Sequence, residues 1–108
     1  MDPDYGAVEI TLCGETITLE PTLTAMKRID RHFGSLRAAI SQCQQLSLDG
    51  LVFVISAGAA LDDAGKKRIP ELVFKAGILS VVPPVNEFLM LLMNPTGETA
   101  EEADSGKA

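Results

Sequence analysis

The chain is poor in the residues from which most active centres are assembled. Among its 108 residues there is one histidine, His32, and only two cysteines, Cys13 and Cys43. Structural and catalytic metal sites gather three or four Cys, His or carboxylate ligands at short, characteristic spacings. The two cysteines stand far apart and no second histidine exists, so no metal site is expected. Both cysteines are read as free thiols in a reducing compartment, Cys13 in a turn and Cys43 on an apolar helical stripe. His32 falls beside an inward stripe at a helix end, as a satisfied or solvent-facing imidazole rather than a base. No glycine-rich loop follows a strand in the way a phosphate cradle requires. The adjacent carboxylates Asp62-Asp63 and Glu101-Glu102 fall in loops, where solvation accounts for them. With the serines and threonines employed as helix caps, no nucleophile, base and orienting group come together. The chain is expected not to be an enzyme, and to carry no cofactor.

Positive charge is scarce as well. Nine Lys and Arg face fifteen Asp and Glu, a net charge of −6. That balance argues against nucleic acid as a partner, because displacing phosphate counterions takes clustered cations. Lys27-Arg28-x-x-Arg31 and Lys66-Lys67-Arg68 are the local exceptions, and a solvated helix face or end is the reading of both. Long apolar runs are also missing. The stretches LVFVISAGAAL and ILSVVPPVNEFLMLLM are too short or too interrupted to cross a bilayer. The opening MDPDYG lacks the basic and apolar segments of a secretory signal. A soluble, intracellular protein without a membrane partner is expected.

What the sequence does contain is organised around residues 6–34, GAVEITLCGETITLEPTLTAMKRIDRHFG. A two-residue turn at Cys13-Gly14 makes residues whose numbers sum to 27 face each other. Val8, Ile10, Leu12, Ile17 and Leu19 then share one face, and Glu9, Thr11, Thr16, Thr18 and Glu20 the other. A slip of one residue would destroy this agreement in both strands. A hairpin apolar on one side cannot stand alone, so later segments must cover it.

Those segments read as helices. Pro21 ends the second strand, and Thr22 or Thr24 caps a helix whose apolar stripe is Leu23, Met26, Ile29 and Phe33. Gly34 stops it and Ser35 caps a second helix, 36–46, burying Leu36, Ala39, Ile40 and Cys43. Ser47 and Asp49 open a third segment, 48–60. Its LVFVI also suits a buried strand, but the small residues that follow favour a helix. Asp62–Gly65 reads as a loop. A fourth helix, within 66–76, turns Ile69, Leu72, Val73 and Ala76 inward. Pro70 is tolerated in a first turn, so this helix is expected to begin near Ile69. Ser80 caps a fifth, with Pro83 and Pro84 in its first turn and its body reaching Met93. The expected fold is α+β and helix-dominant, with a hairpin at 6–12 and 15–20 packed against five short helices. Residues 1–5 form a leader, 6–93 one globular domain, and 94–108 an acidic tail with little to bury, expected to be disordered.

One ordered set of positions carries a resemblance. It comprises Gly6-x-Val8-x-Ile10-x-Leu12-x-Gly14, Leu19-x-Pro21-Thr22, Ile29, Phe33-Gly34-x-Leu36 and Ala57-Gly58. Glu71-Leu72-Val73, Ala76-Gly77 and Val85-x-x-Phe88-Leu89 complete it. In this order the chain resembles the small phage tail proteins of the gene-transfer-agent type, described as tail assembly chaperones and also as tail tube proteins. The likeness spans 6–93. Members often place Asp or an equivalent turn former before the turn glycine, where this chain has Cys13. The resemblance implies a non-catalytic assembly factor, made in a bacterial cytoplasm from a phage or prophage tail operon. Its implied partner is the tape measure protein, with tail tube subunits as a second, and a homo-oligomer stays open. The alternative is a structural tail tube or head–tail connector subunit that remains in the particle. A third is a small regulatory adaptor unconnected with phage.

A partner-binding protein holds apolar surface beyond what its own core consumes. The fifth helix is apolar on more than one face, so the candidate partner-binding residues are Phe88, Met90, Leu91 and Met93. Flexible methionines suit adaptable contact with amphipathic helices. Val85, Leu89 and Leu92 are expected to cover the hairpin instead.

Overall fold

Alternation of apolar and polar residues produces the N-terminal ribbon. In the computed structural model, which describes residues 7–94, strands β1 (Val8–Leu12) and β2 (Glu15–Leu19) pair antiparallel. Val8 faces Leu19, Ile10 faces Ile17 and Leu12 faces Glu15, the register required by the sum of 27. Val8, Ile10, Leu12 and Leu19 are buried and Ile17 half-buried. On the outer face the hydroxyls of Thr11 and Thr16 lie 3.3 Å apart. Cys13 and Gly14 both take positive φ, +54° and +85°, as a tight two-residue hairpin turn of primed type demands. Glycine does this freely; a side chain there costs about 1–2 kcal/mol. The predicted leader 1–5 and residues 95–108 of the predicted tail lie outside the described residues.

Five helices follow: α1 (Leu23–Phe33), α2 (Leu36–Gln44), α3 (Leu48–Gly58), α4 (Asp63–Ala76) and α5 (Ile78–Met93). The fold is therefore α+β and helix-dominant. Caps set the starts of the first four. Thr22 Oγ1 accepts from the Ala25 amide at 3.0 Å, Ser35 Oγ from Ala38 at 2.9 Å, and Ser47 Oγ from Gly50 at 3.1 Å. Gly34 closes α1 at φ +97°. The segment 48–60, which suited either strand or helix, is the helix α3.

Three expectations are corrected. The stretch 62–65 is not a loop: Asp62 Oδ1 accepts from the Gly65 amide at 2.8 Å and starts α4 there. Pro70 thus sits inside the helix rather than in its first turn. It is exposed, and Ile69 and Val73 beside it are buried, so the core holds the helix through the missing hydrogen bond. Likewise α5 begins at Ile78 without a side-chain cap. Ser80 Oγ instead donates back to the carbonyls of Ala76 (2.9 Å) and Gly77 (2.8 Å), and Pro83 and Pro84 fall past the first turn. The carbonyls that the two prolines leave unpaired belong to Leu79 and Ser80, both exposed residues to which water has access. Finally, Leu23 is 67% exposed. At 100° per residue it stands about 120° round the helix from Ile29. The inward face of α1 is Ala25 and Ile29, flanked by half-buried Met26 and Phe33.

The ribbon is roofed by three of the helices: β1 packs on α4 and α5, and β2 on α3. The other two pack on that roof, α1 against α2 and α3, α2 against α3 and α5. Leu12, Leu19, Ile29, Leu51, Ile55, Ile69, Phe88 and Leu89 are fully buried between them. The turn is also clasped to α4, where Cys13 Sγ lies 3.7 Å from the Leu72 carbonyl and Arg68 pairs with Glu15. At the far end the Glu20 amide donates to the carbonyl of Gly58, at 3.0 Å. Gly58 is needed there: a Cβ would lie 2.8 Å from Phe88 Cζ and 3.2 Å from Leu19 Cβ.

Two substitutions test this packing. Gly58→Ala gains about 1 kcal/mol of helix propensity but forces a methyl into a buried ring that cannot retreat, costing about 1–3 kcal/mol. A net loss of stability is expected in urea denaturation, and a gain would refute the close approach. Pro70→Ala restores an amide donor at an exposed mid-helix site. Stabilisation of about 1–2 kcal/mol is expected, and a loss would show that α4 does not run through Pro70.

Candidate partner-binding surface

Helix α5 divides its apolar residues between two directions. Val81, Val85, Phe88, Leu89 and Leu92 recur at steps of three, four and one, and all are buried. Met90 and Met93 lie off that stripe and are 52% and 48% exposed; Leu91 is half-buried. Of the four residues singled out from the sequence, Phe88 is thereby removed from the surface. Its ring fills the space above Gly58 and is fully enclosed. The all-round apolar pattern concealed this, because a residue's share of the core is set by the elements packed against it.

Two further apolar side chains lie at the surface. Phe74 and Leu79 are 73% and 74% exposed, the first near the end of α4 and the second at the start of α5. The sequence held a signal for both. Phe74 stands outside the Ile69, Leu72, Val73, Ala76 stripe, and Leu79 outside the stripe that begins at Val81. The junction of the two helices at Gly77 thus carries apolar surface on both sides.

A third feature lies on α1. Thr24, Lys27, Arg28, Arg31 and His32 line an open groove of about 460 Å³ together with Phe53 of α3. His32 stacks on Phe53, with ring centroids 3.8 Å apart and planes within 8°. Phe33 meets Phe53 edge-on at 5.7 Å. The imidazole is exposed, as one of the sequence alternatives had it. Among the described residues the ion pairs are Arg68–Glu15 and Lys75–Glu71, and neither involves this cluster.

The remaining polar chemistry is dispersed. Ser56 Oγ and Asn86 Oδ1 are buried without a hydrogen-bond partner, one on α3 and one on α5. Among the described residues no group of three His, Cys, Asp or Glu is placed to hold a metal ion, and no helix is long and apolar enough to cross a membrane. Comparison with known proteins finds no matching family model, no curated protein and no solved structure of significant similarity.

The two thiols differ in environment. Cys13 is exposed in the turn, whereas Cys43 is buried, and burial pushes its thiol from 9.0 up to about 11. The fold therefore favours the neutral thiol. Its contribution to stability is whole below pH 9.0 and is lost as pH rises through about 11. At pH 8 one thiol per chain should react with an aromatic disulfide reagent while the protein is folded, and the second only in denaturant. Two equal, rapid phases in the folded state would contradict the burial of Cys43.

Proposed function

We propose that this protein is a non-catalytic tail assembly chaperone of a phage or prophage, acting in a bacterial cytoplasm. Its partner is the tape measure protein, with tail tube subunits as a second. The reading rests on the ordered positions between 6 and 93 that resemble the gene-transfer-agent type of tail protein. The observation that supports it best is the pair Met90 and Met93, left outside a helix whose inward stripe is already satisfied. A tape measure protein is a long helix-rich chain with apolar faces, and flexible thioether side chains can adapt to successive faces of such a partner. Phe74 and Leu79 offer further apolar contact of the same kind.

The same geometry favours the chaperone over a permanent tail tube or connector subunit. A ring of sheet needs long strand edges, and this sheet has two strands of five residues each. Mass spectrometry of purified particles separates the two roles: a chaperone is absent from them, and a structural subunit is present in many copies.

This reading expects a tape measure gene next to this one, and binding is tested by co-expression with its product. Met90→Asp should reduce the recovered complex at least tenfold, with an unchanged urea midpoint. If folding and partner capture both survive that substitution, the proposed contact is wrong. Phe88→Ala is unsuited to the purpose. Emptying that enclosed site should cost about 3–5 kcal/mol and unfold the chain before it reports on binding.

A further inference from the structure

The groove on α1 is cationic in a chain that is otherwise acidic. At 100° per residue, Thr24, Lys27, Arg28, Arg31 and His32 fall within an arc of about 140°, which leaves out the buried Ala25 and Ile29 beyond its His32 edge. Three formal positive charges thus converge on one concavity, while the whole chain carries −6. The stack of His32 on Phe53 forms a flat aromatic wall beside them. Lys and Arg stems add apolar surface below their charged ends. Such a site recognises carboxylates or phosphates, and guanidinium groups bind either in paired hydrogen bonds.

Length and charge separate these ligands. From Thr24 to His32 the helix rises about 12 Å, room for about four residues of extended peptide. A nucleic acid is anionic along its whole length and would run off the groove onto a body where, apart from these three cations, nine acidic residues between 7 and 94 outnumber five basic ones. A short carboxylate cluster ends where the groove ends, within about one to two screening lengths of the three cations. We propose that the α1 groove is the docking site for a carboxylate-rich peptide segment of a partner protein. Lys27, Arg28 and Arg31 hold the acidic side chains and the His32–Phe53 stack forms the wall. This site does not depend on the tail-assembly reading and is separate from the methionines of α5.

Fluorescence anisotropy of labelled hexaglutamate on the full chain tests it, at 50 and 300 mM NaCl. Saturable binding is expected at low salt and at least tenfold weaker binding at high salt. The double variant Lys27→Gln, Arg31→Gln should weaken low-salt binding at least tenfold, with an unchanged circular dichroism spectrum. Lys66→Gln with Lys67→Gln, which removes the same charge elsewhere, should change it less than threefold. Neutralising the chain's own carboxylates (Glu98→Gln, Glu101→Gln, Glu102→Gln, Asp104→Asn) should leave binding as tight or tighter. No binding at 1 mM, equal losses in the two double variants, weaker binding after that neutralisation, or tighter binding of a six-nucleotide thymidine oligomer would each overturn the assignment.

Discussion

Three elements of this protein meet at a point with no room for a methyl group. Leu19 ends the second strand, Gly58 ends the third helix, and the ring of Phe88 from the last helix closes over both. The hydrogen bond from Glu20 to the Gly58 carbonyl ties the ribbon to that helix end at the same place. Interiors are packed at the density of organic crystals, so this approach fixes the position of α3 and α5 relative to the sheet. With them placed, the apolar face of the hairpin is covered, and α1 and α2 take the positions that remain. A glycine at a helix end is unremarkable in a sequence. Its role here comes from the aromatic ring thirty residues later.

The same packing decides which apolar residues are left over. The chain is rich in them, and the core takes one stripe from each helix. Met90 and Met93 remain on α5, Phe74 and Leu79 at the α4–α5 junction, and Leu23 at the start of α1. A few isolated apolar side chains are ordinary on any surface. Two pairs near helix ends are a more specific arrangement, and they support a partner-binding role. Charge is distributed just as unevenly. Between residues 7 and 94 nine acidic residues face eight basic ones, so most of the net −6 lies outside that span. The described body is nearly neutral, and its cations on α1 gather at one groove.

Much of the architecture could be read in advance. The hairpin register followed from period-two alternation, since only one pairing placed both apolar sets on one side. The caps Thr22, Ser35 and Ser47 and the stop at Gly34 were local chemistry with local consequences. One departure has its origin in neighbours distant in sequence. Local rules place Pro70 in a first turn, yet Ile69 and Val73 are buried deeply enough in the core to carry the helix through. Leu46 and Ala60 adopt positive φ, +67° and +55°, where helices usually end on glycine. Both α2 and α3 consequently stop two residues earlier than their apolar patterns suggested.

The candidate surface was legible only in part. Apolar pattern marks Met90 and Met93 but cannot separate Phe88 from them, and it shows Phe74 and Leu79 only as residues off their stripes. The basic run on α1 read as a solvated face until Phe53, from another helix, gave it a wall. By itself the sequence determined what depends on residues a few positions apart: strand register, helix caps, and the kinds of chemistry that scarce histidine and cysteine make difficult. Tertiary structure alone decided which faces of those helices are spent on the core, because burial is a property of what packs opposite and not of the residue buried.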